Sequence, residues 1–197
     1  MPTDTPEATT SPPQAPTAAP GVTAPADTTQ VTGRVTLEVR GPDGQVKDRQ
    51  VLTNLITDAG DQYNARCIAA GVAPANAAAP TKVTGIKLGT GTTAVAKNGT
   101  GAALITYLAG SNRAFDAATP TTENLGAGLG WTVTYTATWA AGVATHAALT
   151  EMALVTDAAT DATSTAANTM ARLVFAASPK GANDSLTVTW SQRQLGT

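Results

Sequence analysis

The stretch WTVTYTATW, residues 131–139, decides the fold class, because threonine occupies every second position in it. Successive side chains of a β-strand point to opposite faces, so Trp131, Tyr135 and Trp139 share one face and the threonines share the other. Threonine has a high strand propensity, and its hydroxyl tolerates water. The pattern therefore predicts a strand that buries an aromatic face and exposes a hydroxyl face.

A second stretch, residues 186–191, repeats this alternation, with Leu186, Val188 and Trp190 opposite two threonines and a serine. Further strands are predicted at 82–88 and 170–175, and residues 34–52 predict a hairpin with a turn at Gly-Pro-Asp-Gly. These elements predict a mostly β protein built as an antiparallel β-sandwich, a jelly roll being one form of it. Its core is expected to take most of its bulk from four aromatic side chains, namely Trp131, Tyr135, Trp139 and Trp190.

One short helix is predicted from Asp58 to Ala70, with Asn54 or Thr57 as its N-cap. Asp58 and Asp61 fall in the first turn, where the positive end of the helix dipole favours carboxylates. The alternative for these two acids is a carboxylate pair for acid/base chemistry. We interpret them as dipole partners.

The N-terminal residues 1–30 differ in composition from residues 31–197, which we predict to form a single domain. Seven of the 12 prolines lie in this arm, and its first 29 residues contain no Lys or Arg. Such a composition is typical of a disordered tail. The alternative is an extended arm that contacts a partner, and its contact residues would be Pro6, Pro12, Pro13, Pro16, Pro20, Val22 and Pro25.

Composition and charge argue against several functional classes. The formal net charge is −2 and the 12 basic residues are scattered, so nothing favours nucleic acid or anionic membranes. One Cys and one His give neither an internal disulfide nor a Cys/His metal set. No apolar run is long enough to span a bilayer, and no secretory signal is expected. We predict no metal and no cofactor.

Three features imitate a catalytic or binding motif. Residues 89–94 match G-x-G-x-x-A after a strand, but another turn cluster follows instead of the helix that a dinucleotide site needs, so we predict a glycine-rich loop. His146 stands alone, without a nucleophile motif, and is predicted at a surface or loop edge. Glu151 lies in an apolar run and is expected to pair with Arg113 or Arg172. The chain is therefore predicted not to be an enzyme.

Five segments in this order resemble a family of tailed-bacteriophage virion proteins. They cover the body from about residue 35 to residue 195, and are LTNLITDAGDQY (52–63), IKLGTGTTAVAKNGTGAAL (86–104), NRAFD (112–116), VTYTATWAAGVATHAALTEMALV (133–155) and ARLVFAASPKGANDSLTVTW (171–190). The resemblance implies a non-enzymatic structural protein of the virion. It also implies that Arg113 and Glu151 form a structural ion pair, and that the scaffold is held together by these two residues with Asn54, Gly60, Gly89, Gly91 and Lys180.

Within that family, two functions are expected for this chain. The first is a capsid decoration, or cement, protein, made in the host cytoplasm, that binds the outer head surface and stabilises it. Its partners would be the major capsid protein, contacted by the arm, and copies of itself in a homotrimer. The second is a tail or fibre component that acts as a spacer or as a host-surface adhesin.

Overall fold

The computed structural model describes residues 30–71 and 79–195. The predicted arm contacts Pro6, Pro12, Pro13, Pro16, Pro20, Val22 and Pro25 lie outside these residues. The described chain contains one helix, α1 (Asp58–Ala70), and nine strands: β1 (Gln30–Arg40), β2 (Val46–Ile56), β3 (Gly85–Gly89), β4 (Arg113–Ala114), β5 (Thr121–Asn124), β6 (Trp131–Trp139), β7 (His146–Val155), β8 (Thr169–Lys180) and β9 (Ser185–Leu195). The prediction of a mostly β, antiparallel body with one helix at 58–70 is confirmed.

The strands form one curled antiparallel sheet in the order β4-β3-β7-β8-β2-β1-β9-β6-β5. Two long ladders dominate it, β2-β1-β9-β6 on one side and β3-β7-β8 on the other. They are joined only by a short pairing of Leu55 and Ile56 with β8. The sheet curls so that its β4 end reaches β6 near the opposite end. The amide of Asp116, just after β4, donates there to the carbonyl of Thr136 on β6 at 2.8 Å.

The main core lies between the two ladders. Val35, Leu37 and Trp190 come from one side and Leu88 and Leu154 from the other, and all five are at most 1 % exposed. The alternation along β1 and β9 supplies the first group, since inward and outward side chains alternate along each strand. Burial of these apolar side chains stabilises the body by roughly 1.5–3 kcal/mol each.

Strand β7 lacks this alternation because both of its faces are covered. Leu149, Met152 and Leu154 belong to the main core, while Ala153 and Val155 pack in a second cluster with Leu104 from the 90–110 loop. A strand covered on both faces tolerates a continuous apolar run, as residues 152–155 show. The outer face of β7 therefore offers a buried environment to any charged residue on it.

Local capping signals predicted both ends of the helix correctly. Thr57 is the N-cap, and its hydroxyl accepts from the amide of Gly60 at 3.1 Å and donates to the carbonyl of Thr169 at 2.5 Å. Asn54, the other predicted cap, is instead buried next to Gly33. Asp58 lies in the first helical turn as expected. The cap thus connects the helix start directly to β8.

Two segments are shaped by their neighbours in the fold. Residues 102–108 contain the end of a 3₁₀ turn, Thr100–Ala102, and a single bridge from Tyr107 to Gly89. Residues 178–185 (SPKGANDS) have the composition of a turn, but β8 continues to Lys180. Ser178 and Lys180 pair there with Leu149 and His146, so the β7 ladder extends the strand beyond its local turn signals.

Candidate functional site

Three of the four predicted core aromatics are buried and the fourth is not. Tyr135 is 7 % exposed, and Trp139 and Trp190 are fully buried, whereas Trp131 is 54 % exposed. The core assignment of Trp131 is therefore wrong. Trp131 shares the inward face of β6, but it is the first residue of that strand and pairs with Gln194, beyond the region where the two ladders face each other. The alternation of side chains along the strand identified the face of Trp131, but it could not show where the core ends.

Glu151, in the middle of β7, is buried, and its charge is neutralised by Arg172 on β8. Nη2 of Arg172 lies 2.7 Å from Oε2 of Glu151, and both side chains have no exposed surface. Nε of the same guanidinium donates to Oε2 at 3.1 Å. Two donors from one guanidinium hold the pair in a fixed geometry away from water.

The predicted ion pair between Arg113 and Glu151 is wrong. Arg113 is exposed and pairs with Ile86, whose side chain belongs to the main core face, whereas Glu151 lies opposite Gly89 on the other face. Arg172 pairs with Ala153, two residues from Glu151 on the same face, which makes the two side chains diagonal neighbours. Sequence proposed both arginines as partners, and only the register decides between them.

Glu151 and Arg172 also hold the glycine-rich loop in place. The carboxylate accepts from the amides of Gly91, Ile105 and Thr106 at 2.9, 3.1 and 2.7 Å. Arg172 donates to two carbonyls of the same segment, those of Thr93 and Gly101. A Cβ at Gly91 would lie 2.5 Å from Oε1 of Glu151, so this glycine allows the close approach of the carboxylate. The G-x-G pattern is thus explained by packing against a buried acid.

A second buried cation, Lys87 on β3, lies on the same covered face. Its Nζ is 3.1 Å from Oδ1 of Asp157, donates to the carbonyl of Ala162 at 2.9 Å and lies 5.7 Å from the ring centroid of Tyr107. The hydroxyl of Tyr107 donates to Asp161 at 2.6 Å. Burial, followed by this hydrogen bond, raises the pKa of Tyr107 to about 12. Lys87 thereby fixes the 156–168 loop as Arg172 fixes the 90–106 loop.

A third buried cation, Lys180, closes the far end of the body. Its Nζ donates to the carbonyls of Ala140 and Asp184 at 3.0 and 2.7 Å. Desolvation lowers the pKa of Lys180, and the charge of Asp184 opposes that shift. Asp184 itself accepts from Lys47 at 2.8 Å and from the amide of Gly181 at 2.8 Å. Those two hydrogen bonds lower the pKa of the Asp184 carboxyl.

The residues with catalytic potential do not converge in the described part of the chain. His146 is half-buried at the start of β7, and its Nδ1 accepts from the amide of Ala148 at 3.0 Å, which is local strand geometry. Among the described residues there is no group of three or more His, Cys, Asp or Glu that could hold a metal ion. No helix of residues 30–71 and 79–195 is long and apolar enough to cross a membrane.

The strongest candidate for a contact surface lies where the chain enters β1. Gln30 pairs with Leu195, and Trp131 pairs with Gln194, so the first residue of β1 and the exposed indole lie at the same end of the sheet. Leu129, just before this strand, is 50 % exposed. We call Leu129 and Trp131 the arm-exit surface.

An apolar groove opens on the inward face of β6 behind Trp131. It has a volume of about 560 Å³ and runs between α1 and the β6–β9 ladder, lined by Cys67, Ile68, Val133 and Tyr135 among others. Ile68 is 70 % exposed. Clustered exposed apolar side chains of this kind mark contact sites more often than isolated ones do.

Comparisons with protein-family models, with curated protein sequences and with solved structures found no match for this chain. The resemblance to the phage virion family therefore rests on the five sequence segments alone.

Sequence reasoning did not single out the buried lysines as loop anchors. Lys87 stands in the strand IKLG, between Ile86 and Leu88, where a lone cation within an apolar run is the only signal of a covered second face. Lys180 was named only through the family resemblance, although its side chain bonds to carbonyls on two sides of the chain. Both anchors depend on loops folding over β3 and β8, which no local pattern encodes.

Proposed function

We propose that the protein is a non-enzymatic structural protein of a tailed-bacteriophage virion, acting as a capsid decoration protein on the outer head surface. The observation that carries this proposal is the arm-exit surface. The arm is rich in proline, and its only charged side chains are acidic. It joins the body beside an exposed tryptophan and an exposed leucine. Arm and surface together would form one continuous contact with neighbouring subunits of the major capsid protein.

The internal chemistry of the body supports a scaffold role. Arg172, Lys87 and Lys180 each donate to backbone carbonyls of distant segments in the described chain. Charges used in this way lock loops onto the sheet and keep the outer shape constant. A protein that stabilises a shell benefits from a body that does not deform when it is bound.

The proposal includes the finer fold and the assembly. Two ladders that face each other across the main core are compatible with a β-sandwich, of jelly-roll type or otherwise. We further propose a homotrimer, because cyclic closure gives each arm an equivalent position on the capsid and multiplies weak contacts through avidity.

The runner-up function is a tail or fibre component. In that case the arm would be an attachment peptide, and the body a spacer or an adhesin. The two locations differ in copy number, since a decoration protein covers the whole head and a tail component occurs at one end of the particle.

The test is co-sedimentation of the purified full-length protein with expanded capsids that lack it, with isolated tails as the comparison. The proposal expects saturable binding to capsids at a copy number comparable to that of the capsid subunits. Binding to tails only, at a few copies, would move the protein to the runner-up function. Binding to neither particle would overturn both.

A further inference from the structure

The hydroxyl face carries a groove that the proposed function does not use. This groove lies on the outer face of β2, β1, β9 and β6, on the side opposite the core, and has a volume of about 620 Å³. Residues that line it include Arg34, Arg193, Thr132, Thr134 and Ser191. We call it the hydroxyl groove.

Two arginines of the lining are neighbours on the sheet. Arg34 pairs with Ser191 and Thr32 pairs with Arg193, so Arg34 and Arg193 are diagonal neighbours on one face of the β1–β9 ladder. Diagonal neighbours lie roughly 7–8 Å apart, within reach of two long side chains around one small anionic group. Both side chains line the same groove.

Neither arginine is neutralised by the described residues around it. None of the ion pairs in the described chain involves Arg34 or Arg193. Nε of Arg193 donates to the carbonyl of Leu129 at 2.7 Å, which orients the side chain and leaves its terminal nitrogens available. Glu123 also lines the groove, but Thr132 separates it from Arg193 across the sheet.

Hydroxyl groups extend from the arginines along β6 and β9. The side-chain oxygens of Thr134 and Ser191 lie 3.0 Å apart, and that of Thr132 donates to the carbonyl of Gln192 at 3.2 Å. Thr132 is buried, whereas Thr134 and Ser191 are half-buried. A hydroxyl is both a donor and an acceptor, so the latter two retain capacity for a further partner. Val51 and Leu125 add apolar patches to the same lining.

We propose that the hydroxyl groove binds an acidic oligosaccharide. The arginine forks match a planar carboxylate, because guanidinium and carboxylate form paired, charge-assisted hydrogen bonds. The threonine and serine hydroxyls match the hydroxyls of adjoining sugar rings, and Val51 and Leu125 match their C–H faces. A nucleic acid is disfavoured, since the groove lining contains no aromatic side chain for base stacking and the chain has a formal net charge of −2.

This site is distinct from the arm-exit surface because it lies on the outer face of the sheet, and the two adjoin where Arg193 donates to the carbonyl of Leu129. It applies equally to a head and to a tail protein. Glycan binding alone would not assign the location, which copy number decides.

The test is calorimetric titration of trigalacturonate into the full-length protein, with neutral maltotriose and with citrate as comparison ligands. Saturable binding of trigalacturonate is expected, with affinity that falls as salt rises. Arg34→Gln and Arg193→Gln should each weaken it about tenfold, the equivalent of losing one charge-assisted interaction. The matched control is Arg113→Gln, which removes an exposed arginine on β4 that does not line the groove and should leave affinity unchanged.

A second variant tests the sugar hydroxyls separately from the carboxylate. Thr134→Val keeps the shape and strand propensity but removes one hydroxyl, and it should weaken trigalacturonate binding without affecting any citrate binding. Three results would overturn the proposal: no saturable binding of trigalacturonate, equal binding of citrate or maltotriose, or equal loss in Arg113→Gln. Circular dichroism confirms that each variant is folded.

Discussion

The carboxylate of Glu151 and the guanidinium of Arg172 are diagonal neighbours on adjacent strands, 2.7 Å apart and without exposed surface. Each also binds backbone groups of the loop that covers them. Water cannot replace either partner at this site. The covering loop and the pair therefore depend on each other, and loss of one charge leaves the other buried and uncompensated.

Replacing Arg172 with Met should destabilise the body by about 3–5 kcal/mol, the range typical of breaking a buried ion pair. The measurement is urea unfolding followed by tryptophan fluorescence. Arg113→Met is the matched control, and its exposed side chain should change the free energy of unfolding by less than about 0.5 kcal/mol. Comparable destabilisation by the two variants would contradict the assignment of Arg172 as the partner.

Trp131 and Trp139 come from the same strand face and should respond differently to truncation. Trp139→Ala removes a fully buried indole whose Nε1 donates to the carbonyl of Ser111 at 2.8 Å, and should cost about 3–5 kcal/mol of stability. Trp131→Ala should change stability by less than about 0.5 kcal/mol, because the ring is 54 % exposed. Thermal and urea unfolding test both. Strong destabilisation by Trp131→Ala would contradict this account and would indicate that Trp131 belongs to the core.

Trp131 and Trp139 show which features of the fold could be predicted from the sequence. Period-two patterning identified the strands around residues 131–139 and 186–191, and capping chemistry identified the helix from Asp58 to Ala70, because both signals are local. The alternation of side chains along β6 also predicted the correct face for Trp131. It could not show that this face runs past the end of the core, since that depends on how far two distant ladders overlap.

The choice between Arg113 and Arg172 marks a second limit. Both are compatible with Glu151 by charge, and only the registers of β3–β4 and β7–β8 place one on its face and the other on the opposite face. A shift of one residue would reverse that outcome. Register between strands far apart in sequence is set by the whole sheet, so sequence patterns alone left the partner open.

Asp184 should make stability depend on pH in the acidic range. Hydrogen bonds from Lys47 and the Gly181 amide lower the pKa of Asp184 below its ordinary value of 3.8. A lowered pKa in the folded state contributes stability above 3.8 that is lost as pH falls through the folded value. Urea unfolding of the wild type and of Asp184→Asn should therefore differ near neutral pH and converge on acidification. A difference that grows with acid would contradict this account.

Tyr107 should lose its proton at a higher pH than an ordinary tyrosine, and Asp161 should be part of the reason. Burial and then the hydrogen bond to Asp161 raise the pKa of Tyr107 to about 12. Asp161→Asn removes the negative acceptor and should move that pKa towards 10.0. NMR of tyrosine ring carbons during alkaline titration resolves the residue. Tyr135, whose pKa burial raises to about 12, is the internal control and should titrate identically in both proteins.

Deleting residues 1–29 should separate folding from capsid binding. The hydrophobic core clusters of the described residues are built from side chains between Val31 and Trp190, so the free energy of unfolding of the body should stay unchanged. Binding to expanded capsids should weaken, because the arm adds contact area and its prolines reduce the entropy lost on binding. Co-sedimentation and urea unfolding of the same preparation measure both quantities. A length-matched control replaces Pro12, Pro13 and Pro16 with Ala and should bind with intermediate strength, whereas undiminished binding of the deletion variant would show that the arm is not a capsid contact.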